Sequence, residues 1–558
     1  MISWLRPKAL PYDAIAADAL PYGERMRLAC PSWALDGYGA PLAIYLVYAL
    51  KIGLYVGAWI FWCSFTPGLG DPATIASWWL APVAFQKAIV WSMLFEALGF
   101  GCGSGPLTGR YLPPIGGFLY FLRPGTMKLP LWPGVPIFGG DRRGAVDVGL
   151  YAAFVGLCVA ALVAATPAQG VLWGILGVLG AMSVGDRTLF LAARSEHYAL
   201  TILCFVLAGE WIAGAKAVQL ALWFWAGVSK LNHHFAPVVA VMGSNSPFTR
   251  SAWWRRRLYR RFPDDLRPSA LTRGLAHFGA ALEFAVPLTL ALAHGPTGLA
   301  IGLGLMLALH AFITSNVPMG VPLEWNVMVV YGGFALFGAH PEVGLGDLGS
   351  PVLGAILVAA LVGVPLAGNL WPARVSFLPA MRYYAGNWAY SVWLFRGESY
   401  RKLEAGLVMS APWVGDQLGR LYDPAVTAGL IGKVVAFRSM HLHGRALGIL
   451  LPRAVERLGD YTYADGEIVA GLVLGWNFGD GHLHDERLLG QVQRRCGFAP
   501  GELRCVMVES QPLGGRSLAW RIVDAASGEV ARGEVDVDEL RARQPWDEGP
   551  RAATAEGA

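Results

Sequence analysis

The sequence is short of charge. Only 15% of its 558 residues are Asp, Glu, Lys or Arg, where a soluble globular chain carries about 25%, and 55% belong to the hydrophobic set. With a mean hydropathy of +0.44, that deficit excludes an ordinary water-soluble multidomain protein. Cysteine is sparse and unorganised: the seven residues Cys30, Cys63, Cys102, Cys158, Cys204, Cys496 and Cys505 form no CxxC pair, which excludes a disulfide framework and a cysteine-rich zinc site. Clustered excess base is missing too. A net charge of +5 is too small for a phosphate-binding footprint, so nucleic acid is not the expected partner. The N-terminus lacks a short apolar core with a small-residue cleavage site, and no cleaved signal peptide is expected.

What charge there is lies unevenly. Residues 1–372 hold 40 charged side chains and the shorter remainder holds 43, so the last third has the charge density of a soluble domain. A bilayer core of about 30 Å needs roughly 20 mostly apolar residues per helix. On that criterion about ten spans are expected, at 41–63, 77–100, 147–167, 170–190, 197–213, 216–231, 270–293, 297–316, 323–339 and 351–371. Base alternates between the connections. Those after the second, fourth and sixth spans carry Arg110, Arg123, Lys128, Arg142 and Arg143, then Arg187 and Arg194, then the run from Arg250 to Arg267. The others carry almost none. Because Lys and Arg collect on the cytoplasmic side, both termini are expected in the cytoplasm.

The expected fold class is therefore mainly α: a polytopic membrane helix bundle of about ten spans with a small α+β cytoplasmic C-terminal domain. Residues 1–39 read as a cytoplasmic or interfacial segment, 40–372 as the transmembrane domain, 373–460 as an interfacial helical linker, 461–545 as the α+β unit and 546–558 as a disordered tail. Within the unit, 467–474 reads as a strand, 485–496 as a helix, and 503–509, 517–524 and 529–535 as strands between glycine-bearing turns. The loop Trp253-Trp254-Arg255-Arg256-Arg257-Leu258-Tyr259-Arg260-Arg261 mixes aromatics with base, as segments lying on an anionic membrane surface do; positive-inside anchoring without a ligand is the other and favoured reading.

A charged side chain at bilayer mid-depth costs about 2.5–3.5 kcal/mol, so Lys51, Lys87, Glu96, Asp186, Glu210, Lys230, Glu283 and Glu324, with His197, His277 and His310, are candidates by position. One constellation stands out. His197 opens the fifth span, and the sixth ends in Trp225-Ala226-Gly227-Val228-Ser229-Lys230-Leu231-Asn232-His233-His234. An up-then-down topology returns Lys230 to the face His197 left. His310 and Asn316 approach that face at the end of the eighth span, and Glu324 and Asn326 open the ninth. A lysine desolvated there by apolar walls is a neutral amine base in one reading and a snorkelling side chain in the other.

At these residues the sequence resembles a known superfamily. Ala226-Gly227-Val228-Ser229-Lys230-Leu231, preceded by Trp223, Phe224 and Trp225, is similar to the lysine motif of the vitamin K-dependent gamma-carboxylases and the related bacterial HTTM membrane domains. Glu196-His197-Tyr198 resembles that family's earlier histidine motif, and Leu309-His310-Ala311-Phe312 its later one. The resemblance covers residues 40–340. It implies Lys230 as the base that deprotonates a reduced quinone and His197 as support for the oxygenated intermediate. His310 is read as assisting them, and His233, His234, Asn316, Glu324 and Asn326, brought to the same level by the topology, as lying around the substrate. Lipase maturation factors look distantly similar, so the fold does not fix the chemistry. Across its whole length, including Gly386-Asn387-Trp388 and the stretch Trp476 to Glu486, the sequence also resembles a bacterial transmembrane family of unknown function.

His482, His484 and Asp485 follow a Gly-Asp-Gly turn, and His441-Leu442-His443 repeats the His-x-His spacing. On a strand or turn that spacing can turn two imidazoles toward one metal; helix capping by His484 or Asp485 is the other reading. Two function classes follow. One is a cytoplasmic-membrane enzyme of bacterial type working on a quinone or other lipid-soluble substrate through Lys230, His197 and His310. The other is a non-catalytic scaffold or lipid-binding protein whose cytoplasmic domain recruits a protein partner. Transport ranks behind both, because no inverted repeats or paired broken helices are visible.

Overall fold

The computed structural model describes residues 3–101, 120–317, 322–383 and 385–549. Residues 102–119, 318–321, 384 and 550–558 lie outside the described residues, and with them Cys102, Arg110 and most of the expected tail. The protein is mainly helical, with one strand-rich region near its C-terminus.

Five helices are long and apolar enough to cross a bilayer: Leu42–Cys63, Ala145–Val163, Ala270–Leu292, Gly295–Thr314 and Pro351–Leu370. They coincide with five of the expected spans. The other five expected spans are shorter, broken or less apolar, each for a local reason. Pro82 starts a fresh helix, Pro82–Ala97, after the short turn Ile75–Trp78. Gln169–Gly185 stops where Asp186 turns its carboxylate to cap Thr188 N–H at 3.0 Å. The run 197–213 yields only the ten-residue helix Tyr198–Leu207, because Glu210 caps the next helix, Trp211–Ser229, through Ile212 N–H. Leu323–Gly332 passes at Gly333 into wider π turns, which glycine's missing side chain accommodates.

The C-terminal sheet is five-stranded and antiparallel throughout, in the order β4-β3-β5-β6-β7, where β3 is Tyr390–Arg396, β4 Tyr461–Asp465, β5 Leu503–Val508, β6 Ser517–Asp524 and β7 Gly528–Asp536. A separate hairpin pairs β1, Tyr259–Arg261, with β2, Asp265–Pro268. The expected strands near 503, 517 and 529 are present. β3 comes from the stretch read as a helical linker, and six of its seven residues are buried; a strand covered on both faces shows no alternation to read. The expected strand 467–474 is instead the helix Gly466–Leu474, all nine residues buried. Asp465 caps it through Glu467 N–H at 2.9 Å and Gly475, at φ 88°, ends it, so capping and burial override β-rich composition.

The N-terminal segment joins this region rather than lying apart. Tyr22–Asp36 packs on Pro424–Met440, with Trp33 and Phe437 rings 5.3 Å apart and Tyr22 Oη 2.7 Å from Ser439 Oγ. Trp546, placed in the expected disordered tail, is buried under the Arg27 guanidinium, and Gly549 N–H donates to Gly448 O. The Gly386-Asn387-Trp388 motif fastens the two halves of the chain. Gly386, at φ 77°, allows His234 and Val238 to approach where a Cβ would collide. Asn387 exchanges two hydrogen bonds with the Gln511 backbone, at 2.7 and 2.8 Å.

At the core of this region Arg438 lies between two carboxylates, donating to Asp465 at 2.5 Å and to Glu467. All three are buried. Replacing Arg438 by methionine strands two buried anions, and the expected cost is about 3–5 kcal/mol. The loss should shrink as pH falls, because a protonated carboxyl no longer carries buried charge. Thermal unfolding of the R438M variant in detergent at pH 8 and pH 5 checks both the size and the trend.

Candidate functional site

Lys230 caps the C-terminal end of the helix Trp211–Ser229. Its Nζ donates to Glu283 Oε2 at 2.6 Å and to the carbonyls of Ala226 and Tyr383 at 3.2 Å each. Three acceptors are what an ammonium can satisfy. The expected apolar walls are thus replaced by a carboxylate and two carbonyls, and only 8% of the side chain is exposed. Gly227 makes this possible: a Cβ there would sit 3.1 Å from the Phe284 ring, so its absence lets the helix Ala270–Leu292 come close enough to present Glu283.

His197 precedes the helix Tyr198–Leu207 and is 2% exposed. Its ring stacks on Tyr198 at 4.6 Å and meets Trp325 edge-on at 6.2 Å, and its Nδ1 has no hydrogen-bond partner among the described residues. Lys230 and His197 are connected through Tyr383, whose carbonyl accepts from the lysine while its ring packs on Trp325 at 5.2 Å. The Arg194 guanidinium lies over both rings and pairs with Glu196 at 2.8 Å.

His310 faces other partners. Trp223 Nε1–H donates to its Nε2 at 2.9 Å, so Nδ1 carries the proton and donates to Asn326 Oδ1 at 2.8 Å. Both ring nitrogens are occupied and the imidazole is held neutral in one tautomer. Glu324 forms an ion pair with Lys51 at 2.9 Å. Three consecutive residues at the start of Leu323–Gly332 therefore meet three different neighbours: Glu324 meets Lys51, Trp325 meets Tyr383 and His197, and Asn326 meets His310. Asn316 is tied to Phe312 O and, through its own carbonyl, to Asn245. His234 is fully buried with Nε2 at 2.8 Å from Gln511, whereas His233 is exposed near Arg541.

The predicted residues thus divide between two spaces. Lys230 and His233 line a cavity of about 740 Å³, and His310 and Asn326 line a groove of about 1090 Å³. His197, His234, Asn316 and Glu324 line neither. The sequence named Glu283 as a candidate without pairing it with Lys230, and the Tyr383 contribution is a backbone carbonyl that no side-chain pattern announces.

The C-terminal histidines diverge. His482 Nε2 faces Glu509 at 3.1 Å, His484 Nδ1 bonds Ser391 Oγ at 2.7 Å, and Asp485 caps Glu486–Cys496 through Arg487 N–H while pairing with the Arg487 guanidinium at 2.7 Å. His441 and His443 spend their Nδ1 protons on the carbonyls of Phe437 and Gly386. No group of three metal-binding side chains is arranged for an ion among the described residues.

Residues 2–554 match the family described as transmembrane proteins of unknown function, DUF3556. The chain belongs to this family. No curated protein and no solved structure matches it. The DUF3556 assignment and the five long apolar helices make this an integral membrane protein in contact with the lipid bilayer.

Two outcomes test this DUF3556 site. The Lys230→Met variant leaves Glu283 buried without its cation and is expected to lose about 3–5 kcal/mol, whereas Lys230→Met with Glu283→Leu removes both charges and should recover most of it. Thermal unfolding in detergent compares them; a double variant no better than the single refutes the pairing. In the His482 and Glu509 pair, burial opposes both charges, but the bond between them and the charge each offers the other hold His482 above the usual 6.5 and Glu509 below the usual 4.5. The raised His482 pKa stabilises below 6.5 and fades as pH rises through its folded value; the depressed Glu509 pKa stabilises above 4.5 and fades as pH falls through its own. The stabilisation by this pair is greatest between those two pH values, and the His482→Gln variant should flatten the stability profile there.

Proposed function

We infer that this transmembrane protein binds a neutral, lipid-soluble molecule of the flat, quinone-like class, and that the Lys230 pair is a structural tie rather than a proton-abstracting base. The observation that carries this reading is the groove of about 1090 Å³ beside the helix Gly295–Thr314. Among the described residues no charged side chain lines it, while Tyr45, Tyr48, Trp79, Phe248, Tyr331 and Phe334 do. Aromatic faces suit a flat ring system, and the missing charge suits a neutral one. His310 and Asn326, with Thr314 and Ser315, supply the polar part of the wall in fixed orientations. Lys230 supports binding over lysine-base chemistry because its three N–H groups already have acceptors. We place the protein in a bacterial cytoplasmic membrane with both termini inside, on the alternation of base between connections.

The test is extraction and mass spectrometry of molecules that copurify with the full chain in mild detergent. A neutral aromatic or quinone-type lipid in near-stoichiometric amount is expected, and Ala311→Trp, which places a bulky ring in the groove, should remove it while bulk phospholipid stays. Recovery of phospholipid alone, or retention in the A311W variant, overturns the reading.

A further inference from the structure

The 740 Å³ cavity is separate from the groove and differs from it in charge. It lies where the end of Trp211–Ser229 and the first three turns of Ala270–Leu292 meet the C-terminal region. Six cations line it: Lys230, Arg260, Arg267, Arg273, Arg445 and Arg541. One acid, Asp538, does so. Three of the cations are matched, Lys230 by Glu283 and Arg267 by Asp265 at 2.6 Å each, and Arg541 by Asp538 at 2.5 Å. Arg260, Arg273 and Arg445 have no carboxylate at ion-pair distance among the described residues.

Arg445 makes the imbalance costly. It is 2% exposed, and among the described residues the only hydrogen bonds of its guanidinium run from Nη1 to the carbonyls of Leu540 and Arg543; Nε and Nη2 have no partner there. Burial, with the Arg267 charge behind it, pulls its pKa to about 10, so the side chain stays cationic at neutral pH. A buried charge without an ion-pair partner is unfavourable, and an anion in the adjoining cavity relieves it.

We propose that this cavity is a binding site for a phosphate ester, gripped by Arg260, Arg273 and Arg445. Guanidinium groups match phosphate oxygens in forked pairs, and three unmatched ones suit a group bearing several anionic oxygens. The place fits a phosphate carried on a lipid. The cavity opens beside the first turns of Ala270–Leu292, a helix long and apolar enough to cross a membrane, and the half-buried or exposed Leu231, Leu513 and Ala236 offer apolar surface beside the cations. The same chemistry would admit a soluble phosphate ester.

Calorimetric titration of the purified full chain in a non-ionic detergent separates the cases, with inorganic phosphate, glycerol 3-phosphate, dioctanoyl phosphatidic acid and dioctanoylglycerol as probes. Binding of the phosphate-bearing probes and not of dioctanoylglycerol supports the site. A phosphatidic acid affinity at least tenfold above that of glycerol 3-phosphate identifies the lipid source, and equal affinities identify the soluble one. The double variant Arg260→Gln with Arg273→Gln, both exposed positions, should raise the Kd at least tenfold, and so should Arg445→Gln; if R445Q does not fold, the double variant decides. Absence of heat with every phosphate-bearing probe, dioctanoylglycerol binding as tightly as phosphatidic acid, or an unchanged Kd in the double variant overturns the proposal. The A311W variant should leave phosphate binding intact, which keeps this site's fate distinct from the groove's.

Discussion

A lysine or arginine carried into an apolar helix bundle has to meet an acceptor, and in this protein the meetings decide which helices lie together. Lys51 reaches from the first long helix to Glu324 at the start of another, Lys128 reaches Asp147, Arg143 reaches Asp186, and Lys230 reaches Glu283. Each charge, buried without a partner, would be unfavourable by a few kcal/mol. Paired, each joins two segments that would otherwise touch only through interchangeable apolar side chains, so charge matching fixes register where van der Waals packing leaves it loose. Lys87 and Lys216 follow the same rule with carbonyls, Trp62 O for the first and His340 O and Val343 O for the second.

The two spaces follow from this pairing. Where charges are matched and withdrawn into the walls, the surface left behind is aromatic and uncharged, as beside His310. Where the membrane half meets the C-terminal region the matching is incomplete, and Arg260, Arg273 and Arg445 remain without carboxylates around an open volume. The neutral ligand and the anionic one proposed above thus belong to different parts of one architecture, and the reason is the local charge balance rather than any catalytic motif.

Much of the site was legible as position. The lysine, the histidines and the amides named from the sequence at this site proved buried or lining a space, the exposed His233 among the latter. Their partners were not legible. Lys230 looked like an amine among apolar walls because Glu283 lies in another helix and Tyr383 contributes only its carbonyl. His482, His484 and Asp485 looked like a ligand set because spacing cannot say which way a turn aims successive rings; each found a separate partner in Glu509, Ser391 or Arg487.

The sequence by itself determined that the chain enters a membrane, because that depends on composition over about 20 residues; it led to an expectation of about ten spans, and which five helices are long and apolar enough to cross was decided by where capping and proline break the others. It also determined three of the five strands, whose turns carry glycine. Tertiary structure alone decided that 466–474 is a helix and 390–396 a strand in the sheet, since both are buried on every side and periodicity has nothing to report. It alone decided which charges are matched, because an ion pair depends on distances between helices far apart in sequence.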